Sequence, residues 1–202
     1  MLLKKALTEH FFCPNAFALP GGVILVTKGL LNTLKNEAEL VSVLAHEMGH
    51  IEQSHCFNAF KYEMVARKID VIEIGKLADM LQNMFFRHTY SKAQENEADE
   101  YAFKLIAQTD YIPQAVGNAF ESISDFYKGD YTPDHSVNIL RDYFSSHPLH
   151  SQRVEKFKQR AKRWCILHPN EKRYLGKKNL EDKVAFSKRM FSEEWVDISE
   201  KN

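Results

Sequence analysis

Apolar positions recur at helical spacing over most of this chain of 202 residues, and the exception comes first. Residues 11–22 (FFCPNAFALPGG) break any helix with two prolines and a glycine pair. The β-branched run from Val23 is short, so a strand or hairpin is predicted there. Residues 36–55 predict a helix, with Asn36 as N-cap and Glu37 and Glu39 at the positive end of its dipole. Leu40, Val41, Leu44, Met48 and Ile51 recur on one side of it, which predicts that this side is buried. Segments 58–88 and 91–108 also read as helices, the second with Ala98, Ala102 and Leu105 as an apolar edge. Pro113 suits the start of another helix reaching about Tyr127, the Gly, Pro and Asp of 129–135 make a loop, and a further helix is predicted from His150 to Trp164. Residues 165–202 are charged and weakly patterned, with one helix expected around 180–190. The expected fold is mainly α, in the α+β class, with a small N-terminal β-hairpin.

Composition narrows the function without deciding it. A single domain over 1–202 is expected at this length. Lys plus Arg number 27 and Asp plus Glu number 27, so there is no basic excess to neutralise phosphates, and no nucleic-acid partner is expected. No apolar run approaches the roughly 18 residues of a membrane span, and MLLKKALTEH lacks the apolar core of a signal peptide. Three cysteines without C-x-x-C spacing fit neither a disulfide framework nor a cysteine zinc cluster.

The candidate chemistry lies in His46-Glu47-Met48-Gly49-His50, on the helix predicted over 36–55. Four residues is a little over one turn, so both imidazoles project from one face and can share a metal ion. Glu47 lies about 100° round the helix from His46, placed to hold a metal-bound water without being a ligand. Imidazoles at this spacing suit Zn²⁺, at about 2.0–2.1 Å. A metzincin would continue with Gly and His at positions 53 and 56, where this chain has Gln53 and Cys56. His55, half a turn away on a continuous helix, is expected in a second layer or at the surface. Glu95 and Asp99 share a helix face, so one could bind metal while the other accepts an imidazole N–H, with Glu97 pointing elsewhere. Spacing alone leaves that reading level with a solvated acidic face, and leaves His147 a structural histidine.

A longer pattern adds to this. Asn15-Ala-Phe-Ala-Leu-Pro-Gly-Gly22, Thr27-Lys-Gly-Leu-Leu31, Asn36-Glu-Ala-Glu-Leu40 and Leu44-Ala-His-Glu-Met-Gly-His50 run in order, followed by Ser91 through Asp99, His147-Pro148 and Arg153. Over about 13–160 the chain resembles the zinc metallopeptidase family of the type I CaaX prenyl proteases, HtpX and BepA. The resemblance implies a zincin-like helical domain holding one Zn²⁺ on His46, His50 and Glu95, with Glu47 as general base. It implies Asp99 behind the ligands, His147 stabilising the oxyanion, and Arg153 anchoring the His147 segment through carboxylates. Asn15, Ala16, Phe17 and Ala18 would line the cleft, where extended backbone pairs with a peptide. Lys92 stands where the family has Arg, which removes a bidentate donor.

The expected activity is that of a zinc metalloendopeptidase acting on peptides or unfolded proteins, with protein quality control as the setting by analogy. Two rivals remain: a latent protease held closed by the segment around 129–150, and a non-catalytic helical module stabilised by a closed zinc site. Only 14 residues precede Asn15, so the chain reads as a minimal member or a fragment. A complete chain would be cytoplasmic; a fragment would belong to a periplasmic or membrane-associated protein.

Overall fold

The computed structural model describes residues 13–66, 89–128, 143–148 and 151–198. Residues 67–88 of the helix predicted over 58–88, the loop 129–135 and the helix start at His150 lie outside them. Strands β1 (Ala16–Leu19) and β2 (Val23–Val26) form an antiparallel hairpin in the register Ala16↔Val26 to Leu19↔Val23. Gly21 and Gly22 turn it with φ of 90° and 82°, values that suit glycine. Thr27 caps α1 (Lys28–Thr33) by accepting from Leu30 N. Asn36 caps α2 (Glu37–Glu52) by accepting from Glu39 N at 2.9 Å.

Helix α2 stops at Gln53, and Ser54, at φ 57°, turns the chain into α3 (His55–Ala66). A Ser91–Gln94 capping box opens α4 (Lys92–Ala107). Then come α5 (Ala115–Lys128), the single turn α6 (Tyr143–Ser146) and α7 (Ser151–Leu167). The molecule is mainly helical, as the periodicity predicts, with the hairpin against α2. Its main core unites Leu30, Val43, Ala102, Ile106, Phe120, Ile123, Tyr143 and Phe157. Among the described residues no helix is long and apolar enough to cross a membrane.

Two expectations are corrected. The buried side of α2 is not the apolar stripe: Ser42, Ala45, His46, Glu47, Gly49 and His50 are buried, whereas Leu40, Val41, Leu44 and Ile51 are half-buried and Met48 is 39% exposed. Polar groups go inside because each finds partners. The carboxylate of Glu39, for example, accepts from Lys35 N, Asn36 Nδ2 and Ser122 Oγ.

The C-terminal residues are also more ordered than their charge suggests. Strands β3 (Lys172–Tyr174) and β4 (Trp195–Asp197) pair antiparallel around α8 (Lys177–Asp182), and the expected helix at 180–190 ends at Asp182. Tyr174 and Ile198 are fully buried, and Leu175 O and Gly176 O accept Ala38 N and Glu37 N, both at 3.0 Å. This segment therefore satisfies donors that the first turn of α2 leaves open.

Candidate metal centre

The backbones of α2 and α4 meet at Gly49. A Cβ there would lie 2.8 Å from Ala98 Cα and 3.0 Å from Ala98 O, so only glycine permits the approach. Ala98 and Ala102 supply the small surface on α4, as their spacing suggests. Glu95 and Asp99 are thereby pressed against His46 and His50.

His46, His50, Glu95 and His147 each offer a ligand atom within 4.8 Å of the others, and all four residues are buried. His46 Nε2 lies 3.1 Å from His50 Nε2 and 3.2 Å from His147 Nδ1, while Glu95 Oε1 lies 3.3 Å from His50 Nε2. The back of each ring fixes its proton. His46 Nδ1 is 3.0 Å from Asp99 Oδ1 and His50 Nδ1 is 3.0 Å from His55 Nδ1. With protons on both Nδ1 atoms, the two Nε2 atoms face each other as bare lone pairs beside a carboxylate. Such a set repels itself unless a cation sits between, and N, N and O donors suit zinc.

The charges fit the same use. Burial pushes His50 down to a pKa of about 2, so it is neutral, as a ligand must be. Burial opposes ionisation of Glu95, but the charge of His147 and a hydrogen bond from it hold its carboxyl below the usual range. Burial likewise opposes charge on His147, yet the carboxylates of Glu47 and Glu95 raise its pKa above the ordinary value. For Asp99, hydrogen bonds from His46 and Arg153 outweigh burial and keep it ionised.

Arg153, at the start of α7, meets two carboxylates and a backbone carbonyl. Its Nε and Nη2 donate to Asp99 at 2.8 and 2.7 Å, and its Nη1 lies 2.9 Å from Pro148 O and 2.6 Å from Glu95 Oε2. The His147 segment is thus tied to both carboxylates. Glu47 is wholly buried, and its Oε2 accepts the Ala18 N–H at 2.9 Å. Its Oε1 has no hydrogen-bond partner among the described residues, and His147 Nε2 comes within 3.4 Å of it.

Asn15 O accepts from Thr27 N, so alternation turns residues 16 and 18 of β1 to the edge facing away from β2. Asn15 itself is buried, and its side chain accepts from Ala16 N, holding the strand's start. Phe17 is half-buried within the hairpin. Three further groups surround the histidines, and the stacking of Tyr90 and Tyr143 was not legible in the sequence. Tyr90 stacks on His50 at 3.7 Å between centroids, Tyr143 stacks on His147 at 4.6 Å, and His55 bridges His50 to Glu97. His55 does occupy a second layer, but by way of the bend at Ser54 rather than by its angle on a continuous helix.

The family model described as peptidase family M48 matches residues 6–161. The chain is 30% identical over 149 residues to the mitochondrial metalloendopeptidase OMA1 of Arabidopsis thaliana, covering 72% of this chain and 29% of that protein. It is 26% identical over 160 residues to the metalloprotease LoiP of Escherichia coli, covering 72% and 58% respectively. Against the beta-barrel assembly-enhancing protease of Escherichia coli, identity is 25% over 193 residues, covering 83% and 38%. The chain spans less than two thirds of the length of each of these relatives.

Proposed function

The chain belongs to peptidase family M48, and on that premise we propose that it is a zinc-dependent metalloendopeptidase acting on peptides or unfolded proteins. The observation that carries this is the convergence of His46, His50 and Glu95 beside a buried Glu47 with one oxygen free. His46, His50 and Glu95 would hold the zinc, with Asp99 fixing the His46 ring from behind. When bound, zinc lowers the pKa of a water toward about 7 and polarises the scissile carbonyl.

Glu47 takes the water's proton on Oε1 while the Ala18 amide restrains Oε2, then passes the proton to the leaving amine. His147, whose pKa the carboxylates of Glu47 and Glu95 raise, donates to the developing oxyanion; such a donor is typically worth about 10²–10³ in rate. An extended peptide would run beside β1 at Ala18, on the edge turned away from β2, while Ala16 is wholly buried and packs in the core. By analogy with the relatives, the setting would be protein quality control.

One observation favours a second reading, a closed latent form. His147 Nδ1 lies as near His46 Nε2 as the two ligand nitrogens lie to each other, so it can serve as a fourth ligand. The two readings part at His147→Ala, which lowers casein cleavage if His147 serves the oxyanion and raises it if His147 closes the site. The proposal as a whole is tested by metal analysis with cleavage before and after chelation. One zinc per chain, with cleavage lost on chelation and regained with zinc, supports it; cleavage indifferent to chelation overturns it.

A further inference from the structure

We propose that His55 and Glu97 form a relay that orients the ligand His50, as positioning residues outside the metal-binding group. This rests on the zinc reading above. The two nitrogens of His50 have different neighbours. Nε2 faces the group, 3.1 Å from His46 Nε2 and 3.3 Å from Glu95 Oε1, so a metal takes its lone pair there. The ring's proton must then sit on Nδ1. That atom is 3.0 Å from His55 Nδ1, and only one nitrogen of the pair can hold a proton between them, so His55 Nδ1 accepts. The proton of His55 is left on Nε2, which lies 2.9 Å from Glu97 Oε2, an acceptor by nature. A single choice of tautomers satisfies all three contacts, and it is the choice that frees the lone pair of His50.

The two histidine ligands are therefore supported differently. His46 Nδ1 lies 3.0 Å from Asp99 Oδ1, on a buried carboxylate that Arg153 also holds. His50 donates to an imidazole that leads outward to a carboxylate 57% exposed. The bend at Ser54 makes this possible by bringing the first residue of α3 back beside the last turns of α2. Tyr90 stacks on the face of the His50 ring while His55 holds its edge, so both tilt and rotation of the ligand are restrained. Glu97 lies on α4 and His55 on α3, so the relay also ties these helices together past the end of α2.

The test is zinc affinity, measured on the purified chain by competition with a chromophoric chelator, with circular dichroism as the control for folding. H55A is expected to bind zinc about 10- to 100-fold more weakly, the usual effect of losing a group behind a metal ligand. H55N, whose amide oxygen can accept the His50 N–H, recovers most of that loss. The visible spectrum of the cobalt-loaded protein shifts in H55A and returns toward wild type in H55N, which a merely packing role would not produce. E97A, at an exposed position, keeps the fold and weakens zinc by less than H55A does. Wild-type affinity in H55A, no recovery in H55N, or wild-type affinity in E97A each overturns the relay. A wild-type chain that takes up no zinc overturns the zinc reading, and the relay with it; zinc uptake unaffected by H55A removes the relay alone.

Discussion

Glu95 and Asp99 stand one turn apart on α4, yet their surroundings separate their roles. Glu95 turns toward both Nε2 lone pairs, whereas Asp99 meets the back of His46 and the Arg153 fork. Glu95→Ala is therefore expected to lose zinc and cleavage together. Asp99→Asn keeps a ligand set and weakens zinc by about 10- to 100-fold. Isothermal titration with zinc distinguishes the two; a Glu95→Ala variant that binds zinc as wild type does would move the ligand elsewhere. Spacing could place these two acids on one face but not say which binds, because that depends on the angle at which a second helix crosses. The resemblance supplied the choice of Glu95, and the distances support it.

Among the elements, the contact of α2 with α4 sets the site, and it depends on one missing side chain. Gly49→Ala puts a methyl group against the Ala98 backbone and is expected to destabilise the fold by about 1–3 kcal/mol. It also moves Glu95 away from the histidines, so zinc affinity falls as well. Thermal melts and zinc titration check this; unchanged values in both would mean the helices adjust freely. At Gly176 the obstacle is doubled, since φ is 73° and a Cβ would lie 2.8 Å from Glu37 Cβ. Gly176→Ala should therefore lower the melting temperature by loosening the cap on α2.

The helices were readable because their periodicity, the Asn36 cap and Pro113 are local signals. The buried face of α2 was not, because periodicity counts apolar positions and this helix buries polar ones that find partners. Strands of three residues with charged neighbours, as at Lys172–Tyr174, leave no periodic signal at all.

Among the described residues, the imidazoles of His46, His50, His55 and His147 are buried together with the carboxylates of Glu47, Glu95 and Asp99 and the guanidinium of Arg153. Mutual hydrogen bonds offset only part of that burial, and a bound cation would offset more. Removing metal is thus expected to lower the melting temperature. Zinc at 100 times its dissociation constant contributes about 2.7 kcal/mol to the folded state. Calorimetry of chelated and zinc-restored protein reads this directly, and identical melts would mean that zinc does not bind the folded chain. The His-Glu-x-x-His motif was legible because one turn of one helix encodes it. Spacing alone did not place His147, which enters from a segment about a hundred residues further on; the resemblance put it beside the metal.

The central claim is that Glu47 is the base of a zinc peptidase, and Glu47→Gln tests it most directly. Zinc content and casein cleavage are to be measured for the variant beside the wild type. The account predicts one zinc in each protein and a loss of about 10²–10⁴ in cleavage rate for the variant alone. Cleavage retained by Glu47→Gln, or a wild-type protein without zinc, would contradict it.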